Sequence, residues 1–447
     1  MTQLVAETEC ELPQATPGSW DVTIIGGGLA GKAAALTLAK AGLRVVCIEP
    51  AESVRPTVGE SLDWSAPALL SDLGLPMEHL VGEQAATWKR HVTLKMRDGR
   101  AEHFVPTSGL AGPPFHVELR TLHVDRTLLD QELLEKTIAS GVTMVHEKVA
   151  RVERTGRNVD AVHTEHGNRF HSPWFIDASG FGTSLFAREF QLRAVPFGPA
   201  KVAMWCYFPV VDPIEGTTLH MDPKESEYLD WIWEIPVNPR VISVGYAATG
   251  AAIKAKRERG LEAEGIFREQ LEKFPRFAEL LRSNAVGELN VTSFRCRVHR
   301  DVAGPNWLIA GEAASMMDPI TANGVTAALR QAAEASELIL KYRNRARLPW
   351  RARFCYSARV FQLAKFFNSG IEKIVYELPV RNRVGMSRSG RLYTSPAWTM
   401  NLVYARLRPR GMIGTFLFGL ALSVFRIGNG LIYLVCNRGT KVTANPS

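Results

Sequence analysis

Two hydrophobic periods run along this chain, and the points where one gives way to the other mark its elements. Asp21-Val-Thr-Ile-Ile25 is a short β-rich run that ends in Gly26-Gly27-Gly28-Leu29-Ala30-Gly31. An Ala- and Leu-rich stretch from Lys32 to Ala41 follows, broken by Gly42, and a second apolar run, Arg44 to Ile48, ends in Glu49. That order predicts strand, helix and strand, with the glycines in the first turn. Between Glu118 and Val142, Leu128, Leu129, Leu133 and Leu134 predict an amphipathic helix with these four on its buried side. Trp174-Phe-Ile-Asp177-Ala-Ser-Gly180 and Trp307-Leu-Ile-Ala-Gly311-Glu312 each read as an apolar strand entering a turn. The second leads to Asn323-Gly324, where a further helix starts. From about Leu185 to Gly250 the period becomes two, in Val202–Phe208, Trp231–Pro236 and Arg240–Tyr246, as for strands of a mixed sheet. Phe361–Tyr376 reads as an amphipathic helix that packs through Leu363, Phe366, Phe367, Ile371 and Ile374. An uncharged run, Gly411–Phe425, ends at Arg426, and a second apolar run covers Ile427–Cys436.

At 447 residues the chain exceeds what one core usually organises. The predicted organisation is an N-terminal extension (1–20), a discontinuous dinucleotide-binding domain (21–185 and 290–340), a substrate domain (186–289) and a basic helical region (341–447). The fold class is α/β, a Rossmann-type domain joined to a mixed β-sheet. With 46% hydrophobic and 22% charged residues, the composition excludes disordered, collagen-like and disulfide-scaffold chains. The six cysteines form no CxxC pair, so neither a metal site nor a disulfide framework is indicated. The N-terminus shows no basic segment followed by an apolar one. Together these features suit a cytoplasmic setting.

The glycine turn carries the first chemistry. Gly26 permits the tight turn, Gly28 lets the backbone approach a pyrophosphate, and Gly31 lets helix and strand pack closely. The helix N-terminus offers unpaired N–H groups to phosphate. Glu49 follows at the spacing of an acid that accepts hydrogen bonds from a ribose. This predicts dinucleotide binding and leaves NAD and FAD open.

With the later motifs added, the chain resembles the FAD-dependent monooxygenase superfamily and, within it, the flavin-dependent halogenases, over roughly Asp21 to Leu340. Asp230-Trp231-Ile-Trp233-Glu-Ile-Pro236 is similar to the Gly-Trp-x-Trp-x-Ile-Pro signature of those halogenases. The resemblance implies that Gly26, Gly28, Gly31 and Glu49 hold the ADP part of FAD. It also implies flavin contacts from Gly59, Ser61, Arg120, Asp177, Gly180, Gly311, Glu312, Asn323 and Gly324. Trp231 and Trp233 would flank the tunnel between flavin and substrate. The implied chemistry uses reduced FAD and O₂ to form a C4a-hydroperoxide that oxidises chloride or bromide. A lysine near an electron-rich aromatic substrate then handles the halogen; Lys89 matches that lysine, with Lys95 in reserve. The alternatives are aromatic hydroxylation without halide, prenyl-type flavin reduction and a non-enzymatic scaffold. Three departures are visible: Asp230 replaces the leading glycine, Glu312 replaces an aspartate, and Ala322 stands where the family places a hydroxyl for halide. Thr321 occupies the position of the glutamate of tryptophan halogenases. No second intact GxGxxG is present, so reduced flavin is expected from a separate flavin reductase or from transient NAD(P)H.

The charge is divided. Lys341–Ser447 holds nineteen Lys or Arg and only Glu372 and Glu377 as acids, so the tail carries +17 and the rest −9 of the total +8. Such a tail suits an anionic membrane surface or an acidic carrier protein, and lacks the aromatic-interleaved pattern of nucleic-acid binding. The apolar run up to Arg426 is shorter than the ~20 residues that span a bilayer. Two readings therefore remain: helices that cap the substrate domain, or a peripheral helix at the inner membrane face.

Overall fold

The computed structural model describes residues 20–437, apart from 55–56, 105–119, 183, 211–213, 223–226, 285, 346 and 408. Nearly all of the expected extension over 1–20 thus lies outside the described residues. Five parallel strands form the first sheet, in the order Trp307–Ile309, Trp174–Asp177, Val22–Ile25, Val45–Ile48, Thr143–Val145. Every residue of the central strands is buried, with helix Leu29–Lys40 packed against Val22–Ile25 and Val45–Ile48, and that is why the sequence shows solid apolar runs here and no alternation. Helix Leu29–Lys40 packs on helices Arg126–Ala139 and Gly324–Tyr342. In Arg126–Ala139 the start is set by Asp125, whose carboxylate accepts from the Thr127 and Leu128 N–H groups. The buried stripe is therefore Arg126, Leu129, Asp130, Leu133 and Thr137. Leu128, expected inside, is 46% exposed, since it falls one position off that stripe.

The second sheet has seven strands, in the order Asn290–Phe294, Lys201–Pro209, Val241–Thr249, Trp231–Asn238, Gly216–Met221, His91–Met96, Ala101–Phe104. It is mixed, because Gly216–Met221 pairs parallel with His91–Met96 while its other neighbours are antiparallel. Its outer strands come from 91–104 and 290–294, outside the 186–289 range read from the sequence. Short strands with few apolar residues show locally that they are strands, but their partners are fixed only by long-range pairing. Alternate residues face two cores. Trp231, Trp233 and Ile235 join the core shared with the first sheet, while Ile232, Val244 and Tyr246 join a second core under helices Gly250–Glu258, Ala263–Leu271 and Pro275–Ser283.

The C-terminal region is helical. Trp350–Ile371 begins well before the expected Phe361, and its continuation, Glu372–Tyr376, winds as a π-helix. Leu378–Val384 and Met386–Leu407 follow. The two apolar runs then form one helix, Gly411–Asn437, of 27 residues. Arg426 does not end it: arginine is a good helix former, and a single charge does not interrupt the backbone hydrogen bonds. By length and apolarity this helix could cross a membrane, which corrects the estimate drawn from the shorter run.

Candidate functional site

A cavity of about 530 Å³ lies between the two sheets, and residues of the C-terminal helices, among them Ile371, Val375, Tyr393 and Ala397, contribute to its lining. At its cofactor end, Gly26 (φ +96°) has no space for a side chain, because a Cβ would overlap the Ala178 carbonyl. A Cβ at Gly31 would overlap the Gly26 carbonyl oxygen, so turn and helix touch there backbone to backbone. At Gly28 a Cβ would meet nothing within 4 Å, leaving open space in front of the turn. The Gly27 N–H donates to Glu49 Oε2 at 2.6 Å and the Ala51 N–H to Oε1 at 3.1 Å, which fixes that carboxylate in the cavity wall. Open space before the helix N-terminus, with an oriented acid beside it, fits the ADP part of FAD.

Gly59, Ser61, Gly180, Gly311, Glu312, Asn323 and Gly324 also line the cavity. Gly59 (φ +119°) lies against the Arg126 guanidinium. Asn323-Gly324 sits at the N-terminus of the helix Gly324–Tyr342, whose free N–H groups face the same space. Ala322 takes a left-handed conformation (φ +53°), and the Thr321 hydroxyl donates to the Asp318 carbonyl at 2.7 Å. The Asn323 side chain is held by Asn401, whose amide donates to Asn323 Oδ1 at 2.5 Å and to Asp63 at 2.8 Å. Burial raises the carboxyl pKa values of Glu60 and Glu312, and the nearby Arg126 opposes this in both.

Two of the expected cofactor residues lie elsewhere. Arg120 is 54% exposed, stacks over Trp88 and faces Glu78, outside the cavity wall. The arginine in the wall is Arg126, which forms an ion pair with Asp130 at 2.7 Å and donates to the Val58 carbonyl at 3.1 Å. Lys32, 3.2 Å from the same Asp130, is a second buried cation there. Both are legible afterwards, as a lone charge in an Ala/Leu run and as an Arg–Asp pair four residues apart. Asp177 is buried and engaged with its own turn, accepting from the Ser179 N–H and hydroxyl and from the Phe186 N–H. It shapes the turn that brings Ala178 and Gly180 to the cavity.

At the substrate end, Lys89 is 4% exposed. Its Nζ donates to the Leu62 carbonyl at 2.9 Å and lies 4.6 Å from the Trp64 ring centre. Burial lowers its pKa to about 7, against a weaker opposing pull from Asp63. His123, fully buried, bridges the hydroxyls of Thr217 (2.9 Å) and Thr87 (3.3 Å). Burial, followed by the Lys89 charge, holds His123 well below the usual histidine range. Thr217 in turn bonds Ser61 at 2.8 Å, so Ser61, Thr217, His123 and Thr87 form one polar chain behind the cavity wall. Trp231 and Trp233 lie side by side, 5.4 Å between centres, both in the cavity wall. The Trp233 indole fits because Gly245, its register partner, leaves room for it, and its N–H donates to Ser243 at 3.1 Å. The Trp231 N–H donates to the Tyr376 hydroxyl at 3.1 Å. Tyr376 donates to Asp318, which pairs with Lys201 at 2.8 Å, and Lys201 also pairs with Glu372. Lys95, the reserve lysine, is half-buried outside the cavity wall.

The family described as lycopene cyclase protein matches residues 21–195. The chain is 27% identical over 334 residues to a 1H-pyrrole-2-carbonyl-[peptidyl-carrier protein] brominase of Pseudoalteromonas luteoviolacea, covering 72% of this chain and 77% of that one. It is 28% identical over 337 residues to a menaquinone reductase of Mycolicibacterium smegmatis, covering 71% and 76%. A triple mutant of the flavin-dependent brominase Bmp2 superposes with a TM-score of 0.71 at 20% identity, covering 91% of this chain and all of the other. Most of these relatives are flavin-dependent halogenases, the structural neighbours include both such halogenases and an FAD-dependent monooxygenase, and the fold of this chain is theirs.

Proposed function

We propose that the chain is an FAD-dependent halogenase acting on an electron-rich aromatic ring. The observation that carries this reading is one cavity joining the glycine-turn cradle to Lys89 and the paired Trp231 and Trp233. Gly28, Glu49, Arg126, Gly311, Glu312 and the start of helix Gly324–Tyr342 would hold FAD. Bound in its reduced form, FAD supplies, with O₂ and chloride or bromide, an electrophilic halogen. Around it the chain's own groups act on position and protons. Trp231 and Trp233, with Ile235, keep the ring away from the cofactor end and exclude water. Lys89, whose amine burial holds near pKa 7, would hydrogen-bond hypohalous acid and, as a base, take up the proton that the ring carbon loses as its bond to the halogen forms; the oxygen–halogen bond breaks, and the hydroxide it releases leaves as water with that proton. Ala322 brings no hydroxyl to the halide, leaving the Gly324 N–H as a donor.

A separate flavin reductase, or transient NAD(P)H, would provide reduced flavin, and the substrate would be a free aromatic molecule or one tethered to a carrier protein. The setting proposed for the reaction is the cytoplasm. A second reading, reduction of a prenyl-type double bond, is favoured by the similarity to the menaquinone reductase. One experiment separates them: incubation with a flavin reductase, O₂ and free or carrier-tethered phenols, pyrroles and indoles, with and without bromide. Brominated product supports halogenation. Products gaining only oxygen indicate hydroxylation, and anaerobic turnover of a prenylated quinone indicates the reductase.

A further inference from the structure

Helix Gly411–Asn437 presents two different faces. Thr415, Phe418, Gly419, Leu422 and Cys436 are buried on its inner side. The outer side is a stripe of large apolar residues with helical spacing, including Ile413 (77% exposed), Phe416 (70%), Leu420, Val424, Ile427 and Leu431. Only 17% of the most apolar stretch of this helix is covered by the rest of the chain. The stripe extends about 33 Å from Ile413 to Val435 at 1.5 Å per residue, well beyond the isolated apolar patches of a monomeric surface.

Cations surround it. Helix Trp350–Ile371 runs alongside in the same direction, with Cys355 against Met412, Arg359 against Thr415, and Phe366 near Phe425. At their shared N-terminal end, exposed Trp350 and Phe354 stand with exposed Lys341, Arg343, Arg345, Arg347, Arg351 and Arg410. On the flank, Arg300 and Lys365 both lie over the Phe361 ring, at 5.3 and 5.6 Å. Burial, then Arg426, Arg300 and Lys373, push the Lys365 amine below its usual range. None of these four flank cations forms an ion pair among the described residues. A crowded cationic group without a carboxylate, beside a long apolar stripe, calls for an anion next to hydrocarbon.

We infer that helix Gly411–Asn437 lies flat in the surface of an anionic phospholipid bilayer, its outer stripe among the acyl chains and Arg300, Lys365, Lys373 and Arg426 at the phosphate headgroups. It does not span the bilayer, because its inner face is packed against Trp350–Ile371 and would draw Arg359, Lys365 and Lys373 into hydrocarbon. A second copy is disfavoured as the occupant because it would bring two strongly basic regions together. An acidic carrier protein would pair the cations but leave the apolar stripe in water.

Flotation of the FAD-loaded full chain tests this without turnover, so its failure leaves the catalytic reading untouched. The chain is expected to float with vesicles of phosphatidylcholine containing about 30% phosphatidylglycerol, and less with phosphatidylcholine alone or in about 1 M salt. Replacing Phe416, Leu420 and Val424 together by Ser should cut partitioning at least ~tenfold on both vesicles, with FAD absorbance retained. Lys365→Gln with Arg426→Gln should remove only the preference for anionic lipid. The inference is overturned if the chain stays in the soluble fraction with both vesicles, or if the serine variant floats like the parent. It is equally overturned if alkaline carbonate fails to strip the chain, which indicates spanning. A solution dimer that the serine variant converts to monomer would assign the stripe to a second copy.

Discussion

The residues before Lys341 and the helices after it are organised by opposite means. In the first region, bare backbone packs closely: a Cβ at Gly26 or Gly31 would collide with the Ala178 or Gly26 carbonyl, and one at Gly311 with the Ala30 methyl. In the second, the links to the body are side-chain pairs buried far from their sequence neighbours. Arg359 pairs with Glu334 at 2.9 Å, Glu372 with Lys201, and Asn401 with Asp63. The cofactor end therefore rests on a geometry that tolerates almost no substitution, and the substrate end on charges that need their partners. The comparison predicts that glycine variants act on cofactor binding and charge variants act on stability.

Gly31→Val breaks the first half of that comparison with the largest effect. Its side chain would displace the turn, so the purified protein should lack bound FAD and show no flavin absorbance. Gly28→Ala is the sharper case. It meets no protein atom, so the apoprotein should melt unchanged while FAD affinity falls. Equal FAD binding by parent and Gly28→Ala would remove the cavity in front of that turn from the cofactor site.

Glu372→Gln tests the second half. It leaves the buried Lys201 amine paired with Asp318 alone, and losing one hydrogen bond to a charged group typically costs about 1.5–3 kcal/mol. Chemical unfolding should show a loss of that order with FAD stoichiometry unchanged. Tyr376→Phe removes only the hydroxyl between Trp231 and Asp318, so about 1–3 kcal/mol is expected. Losses below ~0.5 kcal/mol for both would mean that the helical region is held by apolar packing alone.

The same contrast explains what could be read from the sequence. GxGxxG and Glu49 were legible because few backbone paths let a strand, a turn and a helix approach a phosphate. The paired Trp231 and Trp233 were legible because period two places them on one face. Arg126 was not distinguished from Arg120: both lie near one helix start, and only the capping by Asp125 fixes which arginine turns inward. Neither the strand pairing of His91–Met96 nor the network of Lys201, Asp318, Glu372 and Tyr376 leaves a local signature. The exposed stripe of Gly411–Asn437 was divided in the sequence by Arg426, whose charge hides the continuity of the helix.

Lys89 lies where the two regions meet. Lys89→Met should lower halogenation by about 10²-fold or more while FAD binding and flavin reduction stay unchanged, the range expected when a positioned acid–base group is lost. An equal loss in flavin reduction would place the defect at the cofactor end.

The pH dependence reports the burial of Lys89 directly. With its folded pKa near 7 and an unfolded value near 10.5, the unfolded chain binds more protons between those two pH values. Folding stability from this group therefore rises as pH increases from about 7 to 10.5 and is at its lowest below 7. Lys89→Met should stabilise the protein by up to a few kcal/mol below pH 7, with the gain fading toward pH 10.5. Activity should move the other way. If the amine takes up a proton, the parent's turnover rises about tenfold per unit up to pH 7 and then levels off. A rate that falls through pH 7 would make Lys89 a proton donor, and a flat melting difference between parent and variant would show that the lysine is solvated in the working enzyme.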